Sequence, residues 1–140
     1  MAMSKSDKPD RYLRKAEALL EACGKYGVMA KVNVLLYSGE TAKTLGETRA
    51  WLDENARNIT GVSVGPVIAY GPPKTADILN NDWGIRGARP VDPGSALRTG
   101  ITHMHLGGEI DAGAAEVISL DLSRRYMDAD AYYSLKGFSY

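Results

Sequence analysis

The sequence predicts an α+β fold: one domain with an N-terminal helix, a mixed sheet holding one βαβ crossover, and a C-terminal antiparallel meander. Three observations predict it. Apolar residues recur at helical spacing over 10–23. Two β-rich segments, 28–37 and 62–70, flank a second helical pattern at 42–58, the order of a right-handed crossover between parallel strands. Three further strand-like segments, near 99–106, 115–123 and 131–139, follow one another across short turns, as a meander does. A chain of 140 residues suits one domain with a real core.

A polar arm, residues 1–9, precedes the first helix. There Leu13, Ala16, Leu20 and Cys23 form a stripe that Leu19 widens, while Arg11, Arg14, Lys15 and Glu17 take other faces. Asp7 or Asp10 caps its start, and Gly24 and Gly27 stop it. In 28–37, Val32, Val34 and Leu36 share one face and Leu35 and Tyr37 the other, so the segment reads as a central strand covered on both sides. Ser38-Gly39-Glu40-Thr41 caps the second helix, whose buried stripe is Leu45, Thr48, Leu52, Ala56 and Ile59; Gly61 ends it. Pro66 lacks the N–H a ladder needs, so 62–70 is expected at an edge or with a bulge. A short helix over 75–82 carries Ala76 and Leu79 toward Trp83. Residues 84–98 have no periodicity and read as an irregular Arg/Gly/Pro loop.

Composition narrows the function classes. Seventeen Lys and Arg cancel seventeen Asp and Glu, so no global field recruits nucleic acid or an anionic membrane surface. Cys23 is the only cysteine, which excludes an intrachain disulfide and a four-thiolate zinc site. No apolar run is long enough to cross a bilayer, and the opening residues lack the apolar core of a secretory signal. A cytoplasmic setting is therefore expected, with no membrane partner.

The sharpest chemical signal is His103-Met104-His105, which holds both histidines of the chain. On a strand, residues two apart share a face. Ile101, His103 and His105 then lie on one side, and Thr102, Met104 and Leu106 on the other. With Glu109 nearby, the pair is a candidate for acid–base work or a metal ion. The plainer reading puts Met104 and Leu106 in the core and leaves the histidines on a solvated or partner-facing side.

His103, His105 and Glu109 together resemble the first half of the cupin metal motif. A cupin adds a third histidine downstream, which this chain lacks. Leu106-Gly107-Gly108-Glu109-Ile110-Asp111-Ala112-Gly113 also resembles the LAGLIDADG signature of homing endonucleases. Here Glu109 replaces an apolar packing residue, and Gly113 stands at the second acid. A tight turn explains the glycines more simply. No metal and no cofactor are expected.

Two other stretches attract notice. Loop 84–98 carries Arg86, Arg89 and Arg98 against the single acid Asp92, a local charge of +2, and arginine forks suit a carboxylate or phosphate. Tyr126, Tyr132, Tyr133, Phe138 and Tyr140 crowd the last 15 residues, and tyrosine is enriched at protein interfaces. Asp128 and Asp130 read as turn residues. The resulting expectation is a non-catalytic assembly subunit that self-associates or joins other subunits. The alternative is a small enzyme or ligand-binding domain using His103, His105 and Glu109 on a small, possibly anionic, ligand.

Overall fold

The computed structural model describes residues 9–70 and 83–136. It is an α+β structure with an N-terminal helix, a parallel strand pair and an antiparallel three-stranded sheet. In chain order the elements are α1 (Pro9–Tyr26), β1 (Lys31–Leu36), α2 (Ala42–Asn55), a 3-10 turn (Ala56–Asn58), β2 (Gly61–Pro66), β3 (Ile68–Tyr70), β4 (Arg89–Pro90), α3 (Pro93–Thr99), β5 (Ile101–His105), α4 (Ala112–Tyr126) and α5 (Ala129–Lys136). The expected short helix over 75–82 and most of the polar arm lie outside the described residues. The chain packs as two compact units, each drawn from separate stretches. One holds residues 9–34, 46–64 and 120–136, the other 35–45, 65–70 and 83–119.

In the first unit α1 packs through Leu20, and Leu52, Val62 and Leu122 complete the core. Glu17 accepts the Trp51 indole N–H at 2.9 Å, which ties α1 to α2. Gly27 sits at φ +67° just past α1, a left-handed position that glycine adopts without strain. There Val28 N–H reaches back to the Cys23 carbonyl at 2.9 Å and closes the helix end. The Ala30 carbonyl accepts Thr60 N–H at 2.8 Å and Gly61 N–H at 3.3 Å, and the Thr60 hydroxyl accepts Ala30 N–H, which sets the start of the parallel pair.

In the second unit β5 is central to the antiparallel sheet, flanked by β3 and β4. Ile68 faces His103, Tyr70 faces Ile101, Arg89 faces His105 and Pro90 faces Met104. Met104, Leu106, Leu36, Val67, Trp83, Ile110 and Ala115 form its core. Trp83 donates its indole N–H to the Tyr37 hydroxyl at 2.6 Å, and the two rings meet edge to face. Pro66 ends β2, and the next N–H, Val67, bonds the Leu36 carbonyl at 2.9 Å. Segment 62–70, expected as one edge or bulged strand, is instead split at that proline into β2 and β3, which belong to different sheets.

Six expectations of element type and packing are corrected. Segment 115–123 is helical, within α4, and 131–136 is helical, within α5. The antiparallel sheet exists but is built from β3, β5 and β4 rather than from a C-terminal meander. The reason lies in the period: Ala115, Ser119 and Leu122 are buried and Ile118 and Tyr126 half-buried, a stripe at helical and not alternating spacing. Side-chain caps decide the rest, since Asp111 accepts Ala114 N–H at 2.7 Å and Asp128 accepts Ala131 N–H at 2.8 Å.

Loop 84–98 is also more regular than expected, because it contains β4 and α3. Asp92 accepts Ser95 N–H at 3.0 Å as the cap, and Pro93 takes the first helical position, where a missing N–H costs nothing. Among the described residues strand β1 pairs with β2 alone, and Leu35 is exposed rather than covered. On α1, Leu19 faces outward rather than widening the buried stripe.

Two substitutions test this packing in opposite directions. Leu52→Ala removes a fully buried side chain and should cost about 2–5 kcal/mol in urea unfolding. Ser38 is also fully buried, and its hydroxyl has no partner among the described residues. Ser38→Ala should therefore be neutral or stabilise by up to about 1 kcal/mol; a clear loss would show that the hydroxyl is engaged.

Candidate functional site

Strand β5 sorts its side chains as alternation requires. Thr102, Met104 and Leu106 are buried, Ile101 and His103 are exposed, and His105 is half-buried at the strand end. The half-burial has a specific cause. His105 Nδ1 accepts the backbone N–H of Ala112 at 3.2 Å. Only a ring nitrogen without a proton can accept, so the geometry assigns the proton to Nε2. His105 therefore works with Asp111 at the start of α4, each satisfying one of the free amides there.

Glu109 is engaged elsewhere. Its Oε2 accepts Ala42 N–H at 3.1 Å, at the start of α2. A carboxylate is stabilised there by the positive end of the helix. Thr41 and Thr44 complete that cap reciprocally: Thr44 N–H donates to Thr41 Oγ1 at 3.2 Å, and Thr41 N–H to Thr44 Oγ1 at 2.9 Å. Glu40 accepts the Thr44 hydroxyl. Gly39, at φ +84°, lets its N–H reach the Leu106 carbonyl at 2.7 Å. Leu106 and Gly107 both donate to the Ile110 carbonyl, at 3.0 and 3.3 Å. Loop 106–111 is thus a closed turn bonded to two helix starts.

This arrangement decides what the stretch can do. His105, Glu109 and Asp111 are brought close in sequence but are each committed to a different backbone amide. His103 projects from the outer face opposite Ile68. Among the described residues, no three His, Cys, Asp or Glu side chains converge in a way that holds a metal ion. The α2 start is no better as an anion site, because the amides of Gly39, Glu40, Thr41, Ala42 and Thr44 all donate within the protein.

The loop arginines have separate surroundings. Arg98 pairs with Asp92 at 3.5 Å, and both side chains are largely exposed, so the pair contributes little. Arg89 stands across the ladder from His105. The Arg86 side chain lies against Gly39, where an added Cβ would meet it at 3.3 Å.

The C-terminal tyrosines divide. Tyr126 donates its hydroxyl to Asp53 Oδ1 at 2.6 Å, and Arg125 meets the same carboxylate at 3.2 Å. Arg49 pairs with Asp121 at 3.6 Å, a second link between α2 and α4. The Tyr126 hydrogen bond, helped by Arg125, holds the Asp53 carboxyl below its ordinary value. Partial burial, and then the bond to Asp53, push the Tyr126 hydroxyl up. Bonding to Asp53 raises the Arg125 guanidinium further. Sequence alone had no signal for Asp53, which sits 73 positions from Tyr126. Tyr132 and Tyr133 stack edge to face on α5 and are exposed. Phe138 and Tyr140 lie outside the described residues.

A surface groove of ≈ 310 Å³ runs beside this cluster, lined among others by Ile59, Thr60, Arg125, Met127 and Asp128. Its charged lining is already engaged, Arg125 with Asp53 and Asp128 with Ala131 N–H. No family model, curated protein or solved structure matches the chain.

Two predictions follow from these geometries. Asp111→Ala should destabilise the protein by about 1 kcal/mol through loss of the cap, while excess zinc leaves the wild-type melting temperature unchanged. A zinc-dependent rise in Tm would restore the metal reading.

The Asp53–Tyr126 clamp has a pH window. A lowered carboxyl stabilises the fold above the ordinary aspartate value of 3.8 and ceases to do so as pH falls through its own lower value. A raised tyrosine hydroxyl stabilises below 10.0 and ceases to do so as pH rises through its own higher value. The urea midpoint of Tyr126→Phe should lie below wild type near neutrality and converge with it in strong acid and strong base. An offset independent of pH would contradict the clamp.

Proposed function

We propose that this chain is a non-catalytic assembly subunit that works through protein–protein contacts with further copies of itself or with other subunits. The observation that carries this reading is the outer face of α1. Tyr12, Leu19 and Tyr26 follow one another at seven-residue intervals, and Leu19 and Tyr26 are 65% and 73% exposed. The adjoining face of the same helix, about 100° round, packs inward through Leu20. An 18-residue helix with an exposed apolar stripe beside its buried one has that stripe left for a partner.

Tyr132 and Tyr133 on α5 add exposed aromatic area of the kind found at interfaces. Zero formal net charge keeps repulsion between copies weak. The enzyme alternative draws no support from the geometry, since His105 and Glu109 serve as helix caps. Among the described residues no helix is long and apolar enough to cross a membrane.

Light scattering after size-exclusion chromatography tests the reading at concentrations on the order of tens of micromolar. The expected mass exceeds one chain, and Leu19→Glu lowers it without changing the circular dichroism spectrum. A wild-type monomer under these conditions rules out self-assembly. A larger species unaffected by Leu19→Glu rules out the α1 face.

A further inference from the structure

We propose that His105 is a proton-responsive helix cap: protonation of its ring releases the first turn of α4. The argument starts from the 3.2 Å bond in which His105 Nδ1 accepts Ala112 N–H. Imidazolium carries a donor on both nitrogens and accepts nothing. A proton on Nδ1 therefore sets two donors against each other and leaves the Ala112 amide without a partner. It also places a positive charge at the end of α4 where the backbone dipoles are already positive. His105 is half-buried, so water replaces the lost bond only in part.

The charged groups around the ring sharpen the effect. Arg89 on β4 is its direct cross-strand neighbour, and a cation there opposes a second one. Asp111 and Glu109 in the adjoining loop are engaged with Ala114 and Ala42 N–H. If Asp111 turns to the protonated ring instead, it abandons its own cap and the same turn loosens. Glu116 lies one turn into α4 and is exposed. On α3, Arg98 is paired with Asp92. His103, two residues back on the same strand face, is exposed and its ring makes no comparable bond to a helix start among the described residues. The two histidines thus differ in kind: one only faces outward, the other closes a helix.

The experiment is amide hydrogen exchange of full-length protein at about pH 7.5 and about pH 5.5, a window that spans the histidine range and stays above the carboxylate one. Rates are corrected for the intrinsic effect of pH. Protection at Ala112 should fall by roughly fivefold on acidification, the equivalent of one cap bond. His105→Gln, whose side-chain oxygen accepts at either pH, should remove that change, while His103→Gln should keep it. Unchanged Ala112 protection in the wild type overturns the proposal. So does a pH response that survives in His105→Gln, because another group would then be responsible.

Discussion

The starts of α2 and α4 are both held at one six-residue turn, and the placement of Glu109, Asp111 and His105 follows from that constraint. A helix start leaves backbone amides that need acceptors. Here Glu109 supplies one for α2, while Asp111 and His105 supply two for α4. The turn supports itself through Leu106 and Gly107 bonding the Ile110 carbonyl, and it accepts Gly39 N–H from the loop before α2. Leu106 and Ile110 anchor it in the core. Charge reinforces the hydrogen bonding, because two carboxylates sit at the positive ends of two helices.

The same constraint gives a stretch that looks like chemistry an architectural role. Two histidines and two acids within nine residues invite a metal or a general base. Both functions need side chains converging on a common point outside the backbone. These side chains diverge: His105 toward Ala112, Glu109 toward Ala42, Asp111 toward Ala114 and His103 to the open face of the sheet. The assembly reading rests instead on exposed apolar surface, above all the outer stripe of α1.

Parts of this were legible in the sequence for identifiable reasons. The first helix, the β1–α2–β2 crossover and the strand at 101–105 have strong local periodicity, and Pro66 marked an irregularity in 62–70 although not the division into two strands. The inward set of β5, Thr102, Met104 and Leu106, followed from alternation alone. Residues 112–136 did not follow, because Val117, Ile118 and the paired tyrosines favour strands locally. Their caps and their packing stripe, Ala115, Ser119 and Leu122, favour a helix. Cap partners distant in sequence were illegible: Glu109 meets a residue 67 positions away, and Asp53 meets Tyr126 across 73. Neither pairing leaves a local trace. The outward turn of Leu19 was likewise hidden, since a leucine beside a buried stripe reads as part of it.

The central claim is that Glu109 is a long-range cap of α2. Urea unfolding of Glu109→Ala, combined with amide exchange at Ala42, tests it most directly. The account predicts a loss of about 1 kcal/mol and of protection at Ala42, with Glu109→Gln, which retains an acceptor, recovering part of both. Wild-type stability and unchanged Ala42 protection in Glu109→Ala would contradict it.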